Sequence, residues 1–248
     1  MVNLFDQLSN KLNDEIKAEN KDLLIGLTAT PSDNVLQRYG EPSGYGPNGM
    51  IWTPLDCFSM KDAIHEGFVL PVVQHVIPVD MSLYYAEDDY DPEYFRLPNK
   101  NEIYAHPERI AIAAKYIASV VRNNTFKQIR GNGKAMLACH SIDAAIQYFH
   151  ALTSELGDDG KVFIVYSGGR QDIESADKLN GMNEDKTVEA FKTYGVNGIM
   201  IVVDKLQTGF DEPYLHTLFL DKEVSGINAV QTACRVNRTC KFKHNCLI

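Results

Sequence analysis

The sequence predicts an α/β protein: a parallel sheet with helices on both faces. Short apolar runs rich in β-branched residues alternate with stretches of helical periodicity, as in a sheet covered by crossover helices. A length of 248 residues allows one large domain or two lobes, and 44% hydrophobic with 23% charged residues excludes a disordered or collagen-like chain.

The elements follow in order. Leu23 to Leu27 reads as a first buried strand. Residues 32–56 hold most of the turn formers and read as surface loop, and residues 86–100, with Glu87, Asp88, Asp89, Asp91, Pro92 and Pro98, read as an acidic connector. Pro107 opens a helix reaching to about Phe126, with Ile110, Ala113, Ala114, Ile117, Ala118 and Val121 on one face. Ala135 to Cys139 is the next strand. Ser141 caps a helix to Leu156, its apolar face made by Ala144, Ala145, Tyr148, Phe149 and Leu152. Strands at Val162 to Tyr166, Ile199 to Val203 and Leu215 to Leu220 alternate with helices at Glu184 to Tyr194 and Gly226 to Val236. The chain closes on Cys246-Leu247-Ile248, which reads as the start of another strand. Residues 1–75 are expected to be the end of a first lobe, 76–105 a linker and 106–248 a second lobe, so the chain reads as a piece of a larger protein.

Charge and cysteine content narrow the function. Twenty-four Lys and Arg against 33 Asp and Glu give a net charge of −9, which argues against coating nucleic acid by bulk charge but leaves room for a local basic groove. Five cysteines, at 57, 139, 234, 240 and 246, without an export signal point to free thiols. Cys234, Cys240, His244 and Cys246 fit none of the usual zinc spacings, and no metal site is assigned. The opening residues are too polar for a signal peptide and no apolar run approaches a bilayer-spanning length, so a cytoplasmic location is expected.

Three segments are placed where doubly wound folds hold ligands, beyond the carboxyl ends of strands. Thr28-Ala29-Thr30-Pro31 offers hydroxyls, or is an ordinary strand exit. In Asp204 to Pro213, Gly209 permits close approach of a ligand and Asp211 can accept from a ribose hydroxyl; the bland alternative is a self-capped turn. In Gln231 to Arg238, two guanidinium forks three residues apart share a helix face with Gln231 and suit phosphates, or serve as dipole partners at a helix end.

In this order the segments resemble the superfamily 2 helicases and translocases, whose motor is two RecA-like lobes closing on ATP. Thr28 to Thr30 is similar to the third family motif, Lys134 to Ser141 to the fourth, Asp204 to Asp211 to the fifth, and Gln231, Arg235 and Arg238 to the sixth. Phe58 to Leu70, Thr208 to Pro213 and Gln231 to Thr239 further resemble the motor (R) subunit of type I restriction enzymes. The resemblance implies RecA-like lobes, with Arg235 and Arg238 facing the triphosphate, Gln231 orienting them, and Gly209 and Asp211 lining the nucleotide. Thr28 and Thr30 would couple lobe closure to DNA. Strand-end loops at Ser141, Ser167 and Arg170 would contact the DNA backbone. It implies ATP and Mg as cofactors, and double-stranded DNA with methyltransferase and specificity subunits as partners.

The family's phosphate-cradling Gly-x-x-x-x-Gly-Lys-Ser/Thr loop and its magnesium-binding Asp-Glu pair have no counterpart here. Gly131-Asn132-Gly133-Lys134 has neither the spacing nor the hydroxyl. The chain is therefore expected to be inactive alone. Gly44-Tyr45-Gly46-Pro47-Asn48-Gly49 matches a dinucleotide pattern in letters but follows a proline-rich loop, and Glu15-Ile16-Lys17 matches a short nuclease pattern that belongs elsewhere in the family; neither is assigned a role. The competing readings are a non-catalytic RecA-like docking module and a different superfamily 2 helicase.

Overall fold

A computed structural model describes residues 31–72, 76–81, 98–167, 174–205 and 210–248. The strand expected at Leu23 to Leu27, and with it Thr28 and Thr30, lies outside the described residues, as do Arg170 and Gly209. The chain divides into two compact units, Met1–Cys57 and Phe58–Ile248.

In the first unit, residues 32–56 are more ordered than the loop expected from sequence. They form α1 (Asp33–Tyr39) and an antiparallel hairpin of β1 (Glu41–Gly46) and β2 (Gly49–Thr53). Glycine is required at position 40, where a Cβ would meet the Thr53 carbonyl at 2.5 Å. The hairpin turns through Pro47 and Asn48, and Gly46 pairs with Gly49, so the glycine-rich stretch is a β-turn and not a phosphate loop. Its residues are almost all exposed, which removes the apolar alternation that would have marked the strands.

The second unit opens with α2 (Met60–His65), whose Ser59 and Asp62 form a reciprocal capping box; the bonds from Ser59 hold the Asp62 carboxyl below its ordinary value. Next come α3 (Lys100–Tyr104) and α4 (Pro107–Asn123), then β3 (Lys134–Cys139), α5 (Ile142–Leu156), β4 (Lys161–Tyr166), α6 (Ala176–Asn180), α7 (Glu184–Lys192), β5 (Gly198–Val203), β6 (Leu215–Asp221) and α8 (Gly226–Ala233). The strands form one parallel sheet in the order β4-β5-β3-β6. Leu247 bridges Thr217 in parallel, so the closing segment extends the sheet beyond β6.

Side chains alternate between two cores, as the pleat demands. Ala135, Leu137 and Cys139 of β3 pack with Ile164, Ile199 and Ile201 against α4 and α5. All six residues predicted for the inner face of α4 are buried there. Met136 and Ala138 point the other way, toward Phe163, Met200, Phe191 of α7 and Val236. With both faces covered, the strands read as continuous apolar runs, the pattern of a buried parallel sheet.

Candidate functional site

The site lies at the amino end of β6. Because β3 and β6 are parallel and Lys134 pairs with Leu215, the loop Phe210 to Tyr214 sits at the end where strands begin. This corrects the expectation that Asp211 lies beyond a carboxyl end: the segment leaves the carboxyl end of β5 at Val203 but has crossed the sheet by Asp211.

A second correction concerns the arginines. The helix expected to Val236 ends at Ala233, with Cys234 as its cap, so Arg235 and Arg238 do not share a helix face. The Asn237 carbonyl accepts from the Leu70 amide at 2.7 Å, and Val69 bridges Arg238 in antiparallel fashion. Strand-like pairing thus takes the backbone groups a longer helix would use, and Val236 is drawn fully into the core. The Thr239 hydroxyl donates to the Phe68 carbonyl at 3.2 Å. The two stretches Phe58 to Leu70 and Gln231 to Thr239, far apart in sequence, meet here.

The arginines nevertheless converge. Arg235 NH1 donates to the Phe210 carbonyl at 2.8 Å, and Arg238 NH1 meets Asp211 Oδ1 at 2.8 Å. Burial first, then the adjacent Arg238 charge, pull Arg235 below its ordinary pKa. Gln231 is half-buried in the last turn of α8. One guanidinium thus meets the Asp211 carboxylate and the other the carbonyl of the residue before it.

The loop that carries their partners is held from below. Lys134 is fully buried, and its Nζ lies 3.2 Å from Glu212 Oε2, while the Tyr214 amide donates to Glu212 Oε1 at 2.9 Å. Lys243 donates to the carbonyls of Pro213 at 3.1 Å and Leu215 at 2.7 Å. Burial pushes Lys243 down to about 8, against the opposing pull of Cys240, Cys246 and Glu212. Burial likewise lowers Lys134, partly offset by Glu212. Sequence reasoning gave Lys134, Glu212 and Lys243 no role. The available signal was a lysine opening an otherwise apolar strand, which must find a buried acceptor.

Of the residues expected to touch DNA, Ser141 and Ser167 lie at the opposite end of the strands. Ser141 follows β3 and caps α5, accepting from the Ala144 amide at 3.2 Å. Ser167 is exposed just after β4. Nearby, His140 stacks on Tyr104 at 4.5 Å, and Arg109 pairs with Asp221 at the end of β6. Among the described residues no three His, Cys, Asp or Glu side chains gather to hold a metal, and the five cysteines are free. No helix among them is long and apolar enough to cross a membrane.

A parallel sheet covered on both faces, with a guanidinium pair over a loop at one end, has the architecture of a RecA-like lobe. A solved fragment of an HsdR subunit of a type I restriction enzyme from Vibrio vulnificus YJ016 shares this fold, with a TM-score of 0.53 and 18% identity over 79% of this chain and 35% of that one. Residues 196–246 match the family model described as type I restriction enzyme subunit R domain 3. The chain is 25% identical over 241 residues to a protein named as the type I restriction enzyme MjaIXP endonuclease subunit of Methanocaldococcus jannaschii, covering 90% of this chain. It is also 25% identical over 201 residues to the type I restriction enzyme HindI endonuclease subunit of Haemophilus influenzae, covering 73% of this chain. In sequence the chain is thus similar to type I restriction enzyme endonuclease subunits, and in fold to an HsdR fragment. It spans 22% and 19% of the lengths of those two relatives.

Proposed function

We propose that this chain is part of the ATP-dependent DNA translocase of a type I restriction-modification enzyme, contributing the arginine side of an ATP cleft. The observation that supports this reading is the convergence of Arg235 and Arg238 on Phe210 and Asp211. The planar forks match phosphate geometry. The Arg238 and Asp211 side chains are 41% and 57% exposed. Such open ion pairs are worth roughly 0–1 kcal/mol, so a phosphate displaces the carboxylate at little cost.

ATP with Mg, when bound, would supply a transferable γ-phosphoryl group whose transition state spreads charge over its oxygens. Arg235 and Arg238 stabilise that charge, Gln231 orients the pair, and Asp211, released by Arg238, lines the nucleotide with Gly209. Thr28 and Thr30 couple cleft closure to DNA. Ser141 and Ser167, at the other end of the sheet, grip the backbone of double-stranded DNA together with Arg170, and methyltransferase and specificity subunits complete the assembly in the cytoplasm. Magnesium would be held mainly by carboxylates outside this chain, and the chain by itself would be inactive.

The test is Arg238→Ala in the full-length subunit. Turnover falls about 10³-fold or more while ATP still binds. Unchanged turnover refutes the assignment.

A further inference from the structure

The arginine pair is only as well aimed as the loop that receives it. Arg235 is anchored to the Phe210 carbonyl and Arg238 to the Asp211 carboxylate, and both acceptors sit on the short loop before β6. A loop with one exposed carboxylate would ordinarily be mobile. This one is gripped by two buried cations arriving on different segments: Lys134 from the start of β3 and Lys243 from the turn beyond Arg238.

We propose that Lys134 and Lys243 are positioning residues for the arginine pair. Lys134, through Glu212, and Lys243, through the carbonyls of Pro213 and Leu215, fix the Phe210 to Leu215 loop and thereby set where Arg235 and Arg238 point. This rests on the reading that the arginines face a triphosphate. Both contacts are made by groups hidden from solvent, with Lys134 0% and Lys243 6% exposed, so neither lysine touches the nucleotide itself. The lock is geometric. Glu212 Oε1 takes the Tyr214 amide while Oε2 takes Lys134, and the Glu212 carbonyl takes the Leu215 amide at 3.0 Å, so one residue receives three bonds that define the turn. The Cys240 thiol adds a donor to the Pro213 carbonyl at 3.5 Å.

Two readouts test it. In the nucleotide-free chain, Lys243→Met and Lys134→Met speed hydrogen exchange at the amides of Tyr214 and Leu215 by about 10-fold or more, with the amides of β4 unmoved. In the full-length subunit the same variants lower kcat for ATP by about 100-fold, as expected for misplaced transition-state groups, with KM within about 2-fold. Lys243→Arg, which keeps two donors and the charge, restores most of kcat. Should Lys134→Met fail to fold, Lys134→Met with Glu212→Leu gives an uncharged interior and carries the same expected kcat loss. Folded variants with wild-type exchange at both amides, or with kcat within about 2-fold of wild type, overturn the proposal. Arg238→Ala run in parallel separates the two readings: if it also leaves turnover unchanged, the triphosphate assignment fails; if it abolishes turnover while the lysine variants do not, only the clamp fails.

Discussion

At the amino end of the sheet, Lys134, Glu212 and Lys243 are 0%, 3% and 6% exposed, and each is bonded to loop backbone or to another of the three. At the carboxyl end, Lys100 and Glu223 form a pair 65% and 72% exposed, and Lys222 and Asp204 a pair 14% and 76% exposed. The partly hidden pair there, Arg109 with Asp221, joins α4 to β6 and leaves Ser141 and Ser167 untouched. A buried, fully bonded charge admits one geometry, because any other leaves an unpaired ion in a low dielectric. An exposed pair tolerates many. On the proposed function, the amino end would aim a fixed group and the carboxyl end would meet a partner whose contour changes.

The sharpest way to break this contrast is to keep the charge at Arg238 and remove the fork. Arg238→Lys in the full-length subunit is expected to lose turnover about as completely as alanine, on the order of 10³-fold, because an ammonium cannot reproduce a bidentate phosphate contact. Recovery to within about 10-fold of wild type in a steady-state ATPase assay would make Arg238 a point charge and the exact aim of the amino end irrelevant.

Removing one partner of the buried pair comes next. Glu212→Ala strands the Lys134 ammonium without a counter-charge and is expected to cost about 3–5 kcal/mol in denaturant unfolding, whereas Lys134→Met with Glu212→Leu stays close to wild type. Asp204→Ala, breaking an exposed pair at the other end, costs about 1 kcal/mol or less. Equal losses at the two ends would erase the distinction between them.

Lys243 sharpens the comparison through pH. Its pKa is about 8 in the folded chain against 10.5 ordinarily, so between those values the unfolded state binds more protons. The stability of wild type relative to Lys243→Met therefore rises as pH climbs from about 8 toward 10.5, and the burial penalty is fully present below 8. A gap of about 2.5 units corresponds to about 3 kcal/mol across that window. Burial raises Cys139, Cys240 and Cys246, which opposes the trend in both proteins, so the difference between the two unfolding curves is the quantity to measure. A difference that is flat in pH would place Lys243 in contact with water.

Most of the sheet was legible because its strands are buried on both faces and its helices are strongly one-sided: the inner face of α4 and the cap at Ser141 follow from spacing alone. The hairpin of residues 41–53 was not, since strands exposed on both sides carry no alternation. The extent of α8 was misread for a different reason. Gln231 to Val236 has helical letters, but the chain pairs Asn237 and Arg238 with Leu70 and Val69, a contact nearly 170 residues away that no local pattern encodes. The burial of Lys134, Glu212 and Lys243 escaped notice likewise, because a charge reads as surface until its buried partner is known.

The smallest expected effect lies at the carboxyl end. The Ser141 oxygen is occupied as an acceptor for the Ala144 amide, which leaves its hydroxyl proton free to donate to a backbone phosphate. Ser141→Ala removes both functions and costs about 1 kcal/mol of stability; Ser141→Gly costs only a few tenths, since glycine is tolerated at an N-cap. The glycine variant therefore isolates the donor. Its affinity for duplex DNA is expected to fall about 2- to 10-fold, the range of one solvent-exposed hydrogen bond, with an unchanged slope against salt because the protein loses no charge. If the two variants bind DNA as tightly as wild type, Ser141 serves the helix alone, and the contact surface at that end must be drawn through Ser167 instead.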